Sequence, residues 1–174
     1  ETTDDVRSGG HDGRVGRCLC ARRDVVTRRV VRCTVRYGRS IRVKTNVVSV
    51  PLSLDDLAAN TIQLVAHDAL LHAVTIDWRP AGDLPVVYGD SVQIQQVILN
   101  LLTNAIMAAS SEGAKRTVTV WTVIATAPYV ELGVHDSGKG IPEADLARVF
   151  EPFFTTKVDG LGMGLAISHT IVEA

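Results

Sequence analysis

A chain of 174 residues, 46% hydrophobic and 21% charged, has the size and make-up of one globular domain or of one domain with an appendage. Its net charge of -1 hides a split: residues 1–46 carry eleven arginines and Lys44 against five acids, a net +7, while residues 47–174 carry six basic and fourteen acidic side chains, a net -8. Such asymmetry marks two segments with different histories or partners. No apolar run approaches the roughly 18–20 residues that a membrane span needs, and no apolar signal region opens the chain.

In the first 46 residues Val25, Val26, Val30, Val31, Val35, Ile41 and Val43 are scattered among arginines without a sustained period of 3.6 or 2.0. Residues 1–46 are therefore expected to be a basic segment outside the domain, disordered or non-native. A nucleic-acid-binding arm is the competing reading, but Tyr37 is its one aromatic for stacking on bases, and no nucleic-acid partner is expected. Cys18 and Cys20 at C-x-C spacing could bind metal with a ligand such as His11. With Cys33 they make an odd number, which favours free thiols of a reducing compartment.

Clean patterns begin at Val47. Ser53-Leu54-Asp55-Asp56 reads as a helix start, and apolar residues at helical spacing carry that helix to Leu71. Val74, Ile76 and Trp78 alternate with polar residues as a strand does. A Pro- and Gly-bearing loop over 79–85 leads to a short strand, 86–88, and then to an amphipathic helix from Ser91 to Ala109. Thr117 to Ile124 and Tyr129 to His135 are β-rich and read as an antiparallel pair. Pro142 suits the first position of a short helix ending at Val149, and the last helix is expected to begin near Gly162. This order suits a two-layer α/β sandwich with a mixed sheet.

Four stretches carry chemistry. On the 91–109 helix, Gln96, Asn100 and Asn104 fall at i, i+4 and i+8 beside the apolar face. Amides are costly to bury unpaired, so the stripe faces water, a partner or a ligand. Asp136-Ser137-Gly138-Lys139-Gly140-Ile141 puts a carboxylate and two glycines at the end of a strand, where an acceptor can meet a base amino group while the backbone bends round a flat ring. Phe150-Glu151-Pro152-Phe153-Phe154-Thr155-Thr156-Lys157 reads on its own as a core-packing turn. Gly160-Leu161-Gly162-Met163-Gly164-Leu165 opens the last helix with backbone N–H groups exposed, a seat for phosphate.

N-L-L-T-N-A, D-S-G-K-G-I, F-E-P-F-F-T-T-K and G-L-G-M-G-L, in this order over residues 90–174, resemble the N, G1, F and G2 boxes of sensor histidine kinases, members of the ATPase superfamily shared with gyrase B, MutL and the large heat-shock chaperones. The strings are most similar to the nitrogen-regulatory and oxygen-sensing subgroup, whose lid is short; here Val158 and Asp159 alone separate Lys157 from Gly160. The resemblance implies a Bergerat ATP-binding fold over residues 47–174, incomplete at its C-terminus because the family continues into a further strand.

ATP and Mg²⁺ are the implied cofactors. Asn104 resembles the amide that ligates the metal, supported by Asn100, and Asp136 the carboxylate that reads adenine. Gly138 and Gly140 admit the ring and Ile141 packs on it. Gly160, Gly162 and Gly164, with Leu165, lie on the phosphate side, and Phe150 and Phe153 anchor the lid. Thr156 and Lys157 either reach the phosphates or stay in solvent; Asn100, Asn104 and Lys157 form the implied catalytic set. Asn100 stands where hydrolytic relatives carry a glutamate and cannot act as a general base, which favours transfer of the γ-phosphoryl group to a protein histidine. His11 sits in a helix-breaking Gly-Gly-His-Asp-Gly context, His67 and His72 lie in or beside the helix ending at Leu71 and are expected to face solvent or the domain surface, and His135 and His169 lie inside the nucleotide domain, so none is identified as the phosphoacceptor. The implied partners are a histidine-bearing dimerisation hairpin, missing or supplied in trans, and a response regulator receiver domain. The implied parent is a cytoplasmic or membrane-anchored homodimer. The alternative is a truncated nucleotide-binding module without turnover.

Overall fold

The computed structural model describes residues 30–37, 50–111, 115–157 and 160–173. These residues form a mixed α/β arrangement of three helices, a four-stranded sheet and a two-stranded one. In chain order the elements are β1 (Val30–Arg36), β2 (Val50–Leu52), α1 (Leu54–Leu71), β3 (Thr75–Arg79), β4 (Val87–Gly89), α2 (Ser91–Ser110), β5 (Thr117–Ile124), β6 (Tyr129–Asp136) and α3 (Gly164–Glu173). The larger sheet has the order β1-β6-β5-β3, with β3 parallel to β5 and the other pairs antiparallel; β2 and β4 form the smaller. The mixed sheet and the antiparallel β5–β6 pair agree with the sequence reading.

Local chemistry sets the helix starts. Ser53 caps α1 by accepting from the Asp56 N–H at 3.2 Å, and Asp90 caps α2 by accepting from Val92 and Gln93. Asp55, in the first turn of α1, also accepts from the Thr122 hydroxyl and from Gly82 N–H, so the helix start is tied to β5 and to the loop after β3. Leu54, Ala58, Thr61, Val65 and Ala69 line the buried face of α1. Val97, Ile98, Leu101, Leu102, Ala105 and Ile106 do the same for α2, which touches α1, α3, β5 and β6. Val118, Val120, Val130, Leu132 and Val134 meet them from one face of the sheet.

Four expectations need correction. Residues 30–37 are not outside the fold. β1 runs antiparallel to β6 from Val30 opposite His135 to Arg36 opposite Tyr129, Cys33 is buried, and Val31, Val35 and Tyr37 pack on the core. Val31, Cys33, Val35 and Tyr37 alternate with Arg32, Thr34 and Arg36, a period of two that the surrounding arginines mask. The remainder of the 1–46 segment lies outside the described residues, as do Cys18, Cys20 and His11.

The helix expected from Pro142 to Val149 is a single 3-10 turn, Glu143–Asp145, continued by i→i+3 bonds from Arg148 to Asp145 and from Glu151 to Arg148. The stretch is short, ends at Pro152 and buries little beyond Val149, so a regular helix would gain little from packing. The last helix starts at Gly164, because Gly162 takes a left-handed φ of 67°. Finally, α2 is long and apolar enough to cross a membrane by length and composition, contrary to the expectation of no such run. Seven of its residues are buried in this core, and the amides of Gln93, Gln95, Gln96, Asn100 and Asn104 interrupt its surface.

Removing residues 1–46 deletes β1. A fully buried Val-sized side chain stabilises by about 1.5–3 kcal/mol, and Cys33 with the partly covered Val31 and Val35 should together contribute about 3 kcal/mol. Urea unfolding of a chain beginning at Val47 should show an unfolding free energy lower by about that amount, and so a lower midpoint; an unchanged midpoint would place β1 outside the cooperative unit.

Candidate active site

The site forms where the C-terminal half of α2 meets the loop after β6 and the segment leading into α3. Of the amide stripe, Gln96 is exposed while Asn100 and Asn104 are half-buried. The Asn100 Nδ2 donates to the Gly164 carbonyl and to Ser168 Oγ, both at 3.1 Å, and Ser168 Oγ donates to the same carbonyl at 2.9 Å. Asn100 thus ties α2 to the first turn of α3. Asn104, one turn further on, accepts at Oδ1 from the Lys157 ammonium at 2.8 Å.

Asp136 ends β6, and its Oδ1 accepts from the Gly138 N–H at 2.9 Å. Ser137 fixes the loop to β5: its N–H donates to the Thr117 carbonyl and its Oγ accepts from the Thr117 N–H, both at 3.0 Å. The loop then lies on the end of α2. A Cβ on Gly138 would stand 2.4 Å from the Ala108 carbonyl oxygen, so only glycine fits. Gly140 follows with φ 77°, and Ile141 is half-buried.

On the opposite side, Gly162 accepts at its carbonyl from the Phe153 N–H at 3.0 Å, and a Cβ there would meet the Phe153 carbonyl carbon at 2.5 Å. Phe150 rests against His169 of α3 with ring centroids 5.1 Å apart, as expected of an anchor. Phe153 is 74% exposed with φ 68°, so its backbone and not its ring is held. The second packed ring is Phe154, with the Arg148 guanidinium 4.5 Å above it. Thr155 Oγ1 accepts from the Lys157 N–H at 3.0 Å and lies close to Gly160. Thr156 is exposed, Gly164 contacts Asn100, and Leu165 packs on the core.

Lys157 has a pKa below the ordinary lysine value, chiefly because its charged end is desolvated; the Asp136 carboxylate opposes that shift. The residue as a whole is exposed, so the desolvation is local to the ammonium against α2. Lys157 thus meets Asn104 directly and feels the Asp136 charge, so that residues of three separate stretches act on one ammonium group. Residue patterns gave no hint of Ser137, Ala108 and Ser168, which hold the site in place. Their signal is in three dimensions: a serine beside a strand end, a small residue under a glycine, and a serine one turn into a helix.

Residues 89–174 match the family described as histidine kinase-, DNA gyrase B- and HSP90-like ATPase. The sensor histidine kinase TmoS of Ectopseudomonas mendocina is 36% identical over 141 residues, covering 80% of this chain and 14% of TmoS. The sensor histidine kinase ZraS of Escherichia coli (strain K12) is 36% identical over 129 residues, covering 74% of this chain and 27% of ZraS. The chain thus spans between about a seventh and about a quarter of the length of these relatives. Among solved structures, full-length ShkA in complex with AMPPNP superposes with a TM-score of 0.64 at 26% identity, over 74% of this chain and 27% of ShkA. The catalytic domain of the histidine kinase ThkA gives 0.63 at 28% identity, over 72% of this chain and 81% of that domain. ThkA in complex with the response regulator protein TrrA gives 0.60 at 25% identity, over 72% of this chain and 34% of ThkA. With the four motifs joined by the Asn100–Gly164, Asn104–Lys157, Phe153–Gly162 and Gly138–Ala108 contacts in the fold of these catalytic domains, residues 89–174 belong to the histidine kinase-, DNA gyrase B- and HSP90-like ATPase family, in its sensor histidine kinase form.

Proposed function

We propose that this chain binds ATP with Mg²⁺ in the cleft between α2, the Asp136–Ile141 loop and the 160–165 segment, and transfers the γ-phosphoryl group to a histidine of a protein hairpin for relay to a response regulator. The observation that carries the reading is the meeting of Asn104, Asp136 and Lys157, three polar groups of complementary chemistry with glycine-bounded backbone on either side. Asp136 accepts the base amino hydrogen, since its carboxylate is an acceptor at neutral pH. The Gly138 and Gly140 turn leaves room for the ring, and Ile141 covers it. Thr156, Lys157 and the N–H groups near Gly160, Gly162 and Gly164 serve the phosphates, with Leu165 holding the start of α3 against the core.

The residues fit a divalent cation of the Mg²⁺ kind. Asn104 Oδ1 already accepts from one cationic group. A hard cation held by one amide oxygen and the phosphates matches that donor set. Bound there, it would supply charge neutralisation between the phosphates. Asn104 would hold it, and Lys157 would offset charge on the phosphate oxygens. The P–O bond to the γ-phosphorus breaks as a P–N bond to the acceptor imidazole forms, with ADP leaving. Water is not activated at Asn100: an amide does not take up a proton at neutral pH, and its N–H groups are engaged with Gly164 and Ser168. ThkA, which crystallised with TrrA, supports the choice of a receiver domain as the downstream partner. On this reading the parent is a homodimer acting in the cytoplasm, and its hairpin carries the phosphoacceptor.

Asp136→Asn should weaken ATP binding by about 1–3 kcal/mol, the cost of one mispaired buried polar contact, with GTP binding affected less. Calorimetry with both nucleotides checks this, and equal affinities for the two in wild type and variant would remove Asp136 from base reading. Asn104→Ala should lose on the order of tenfold in affinity for AMPPNP with Mg²⁺, about 1.4 kcal/mol, and little for the nucleotide alone. Equal losses with and without metal would mean that Asn104 acts through packing. Incubation with γ-labelled ATP and a separately supplied kinase hairpin then tests transfer: label on histidine is expected, and binding without label would leave a nucleotide-holding module.

A further inference from the structure

The contact between Lys157 and Asn104 has a consequence for how the site loads. An amide oxygen that accepts an ammonium hydrogen at 2.8 Å holds a positive group where a metal ligand would hold its ion. Two cations at adjoining positions on one oxygen repel each other strongly in a partly desolvated cleft. On the reading that Asn104 is the metal ligand, we propose that the Lys157 ammonium occupies the cation position at Asn104 in the nucleotide-free protein, and that a divalent cation arriving with nucleotide displaces it toward the phosphates.

Three observations support this assignment. The backbone before Lys157 is folded back on itself, with the Lys157 N–H donating to Thr155 Oγ1 at 3.0 Å, so the side chain reaches α2 from an anchored base. Asn100, the other amide of the stripe, is already spent on Gly164 and Ser168, which leaves Asn104 as the amide turned to the ammonium. Asp136 lies near enough to act on the Lys157 charge, so the lysine stands between the residues assigned to the two ends of the nucleotide. A lysine stem has four rotatable bonds and a compact charge, so it can swing from the amide to a phosphate oxygen without moving the backbone. Nucleotide lacking metal would leave the Lys157–Asn104 contact intact, whereas nucleotide with metal must break it.

The test uses the whole 174-residue chain, wild type and Lys157→Met, with Lys157→Gln as a second variant should the first fold poorly. In the nucleotide-free protein, the side-chain amide resonance of Asn104 in a nitrogen–proton correlation spectrum should move on replacing Lys157. In the wild type, the Lys157 ammonium resonance should move when AMPPNP is added with Mg²⁺ and hold its nucleotide-free position when AMPPNP is added alone. An Asn104 resonance that stays in place on replacing Lys157, or a Lys157 resonance that moves equally with and without Mg²⁺, overturns the exchange. A wild-type protein that binds AMPPNP with no magnesium effect at all would instead overturn the assignment of Asn104 as metal ligand, a failure told apart because the nucleotide-free resonance shift would still be present.

Discussion

The close approach of the end of α2 to the loop after β6 is the constraint on which the site depends. Gly138 lies so near the Ala108 carbonyl that any Cβ would overlap it, and the helix can come this close because its last turns carry Ala105, Ala108 and Ala109. The loop is held from the other side by the paired Ser137–Thr117 bonds. Asp136 and Asn104, which are 32 positions apart in the sequence, thereby both act on Lys157 without either being on a long loop. Placing chemistry on rigid elements gives better-defined geometry than placing it on mobile ones.

The two asparagines of α2 divide the work that their spacing suggests they share. A shift of one helical turn carries the amide from the α3 contact to the Lys157 contact. Asn100 acts through α3: by gripping Gly164 O and Ser168 Oγ it fixes where the glycine segment ends and the helix begins. Because the first N–H groups of a helix are the ones able to meet phosphate, this grip on the first turn of α3 also sets where they point. The same contact explains why a general base is absent from that position: the side chain's hydrogens are used structurally.

Most of the domain could be read from residue order because its elements obey short-range rules. α1 and α2 show helical spacing with recognisable caps, and β5 and β6 alternate cleanly, so their boundaries shifted by one or two residues at most. The readings that failed depended on distant partners. β1 alternates Val31, Cys33, Val35 and Tyr37, but its register is set by β6, about a hundred positions later, and the arginines between hide a pattern that only the sheet makes sense of. The segment after Pro142 could form a helix by propensity, yet with Val149 as its main buried anchor tight turns suffice. Phe153 and Phe154 look equivalent as letters, and only the position of Arg148 and the left-handed backbone at Phe153 decide which ring packs.

The same logic separates fold from chemistry in the α2 surface. A helix with no charged residue over 20 positions passes the length and composition test for a membrane span, yet its polar amides occur where a lipid-facing helix would have to bury them unpaired. Here Asn100 pairs with α3 and Asn104 with Lys157, while Val97, Ile98 and Leu101 pack on the sheet and α1 side of the core. The absence of charge on α2 is then intelligible as a condition of the cleft. A lysine or glutamate in the amide stripe would compete with Lys157 or Asp136 for the same partners, whereas neutral amides accept a cation or donate to a carbonyl without fixing the net charge of the site.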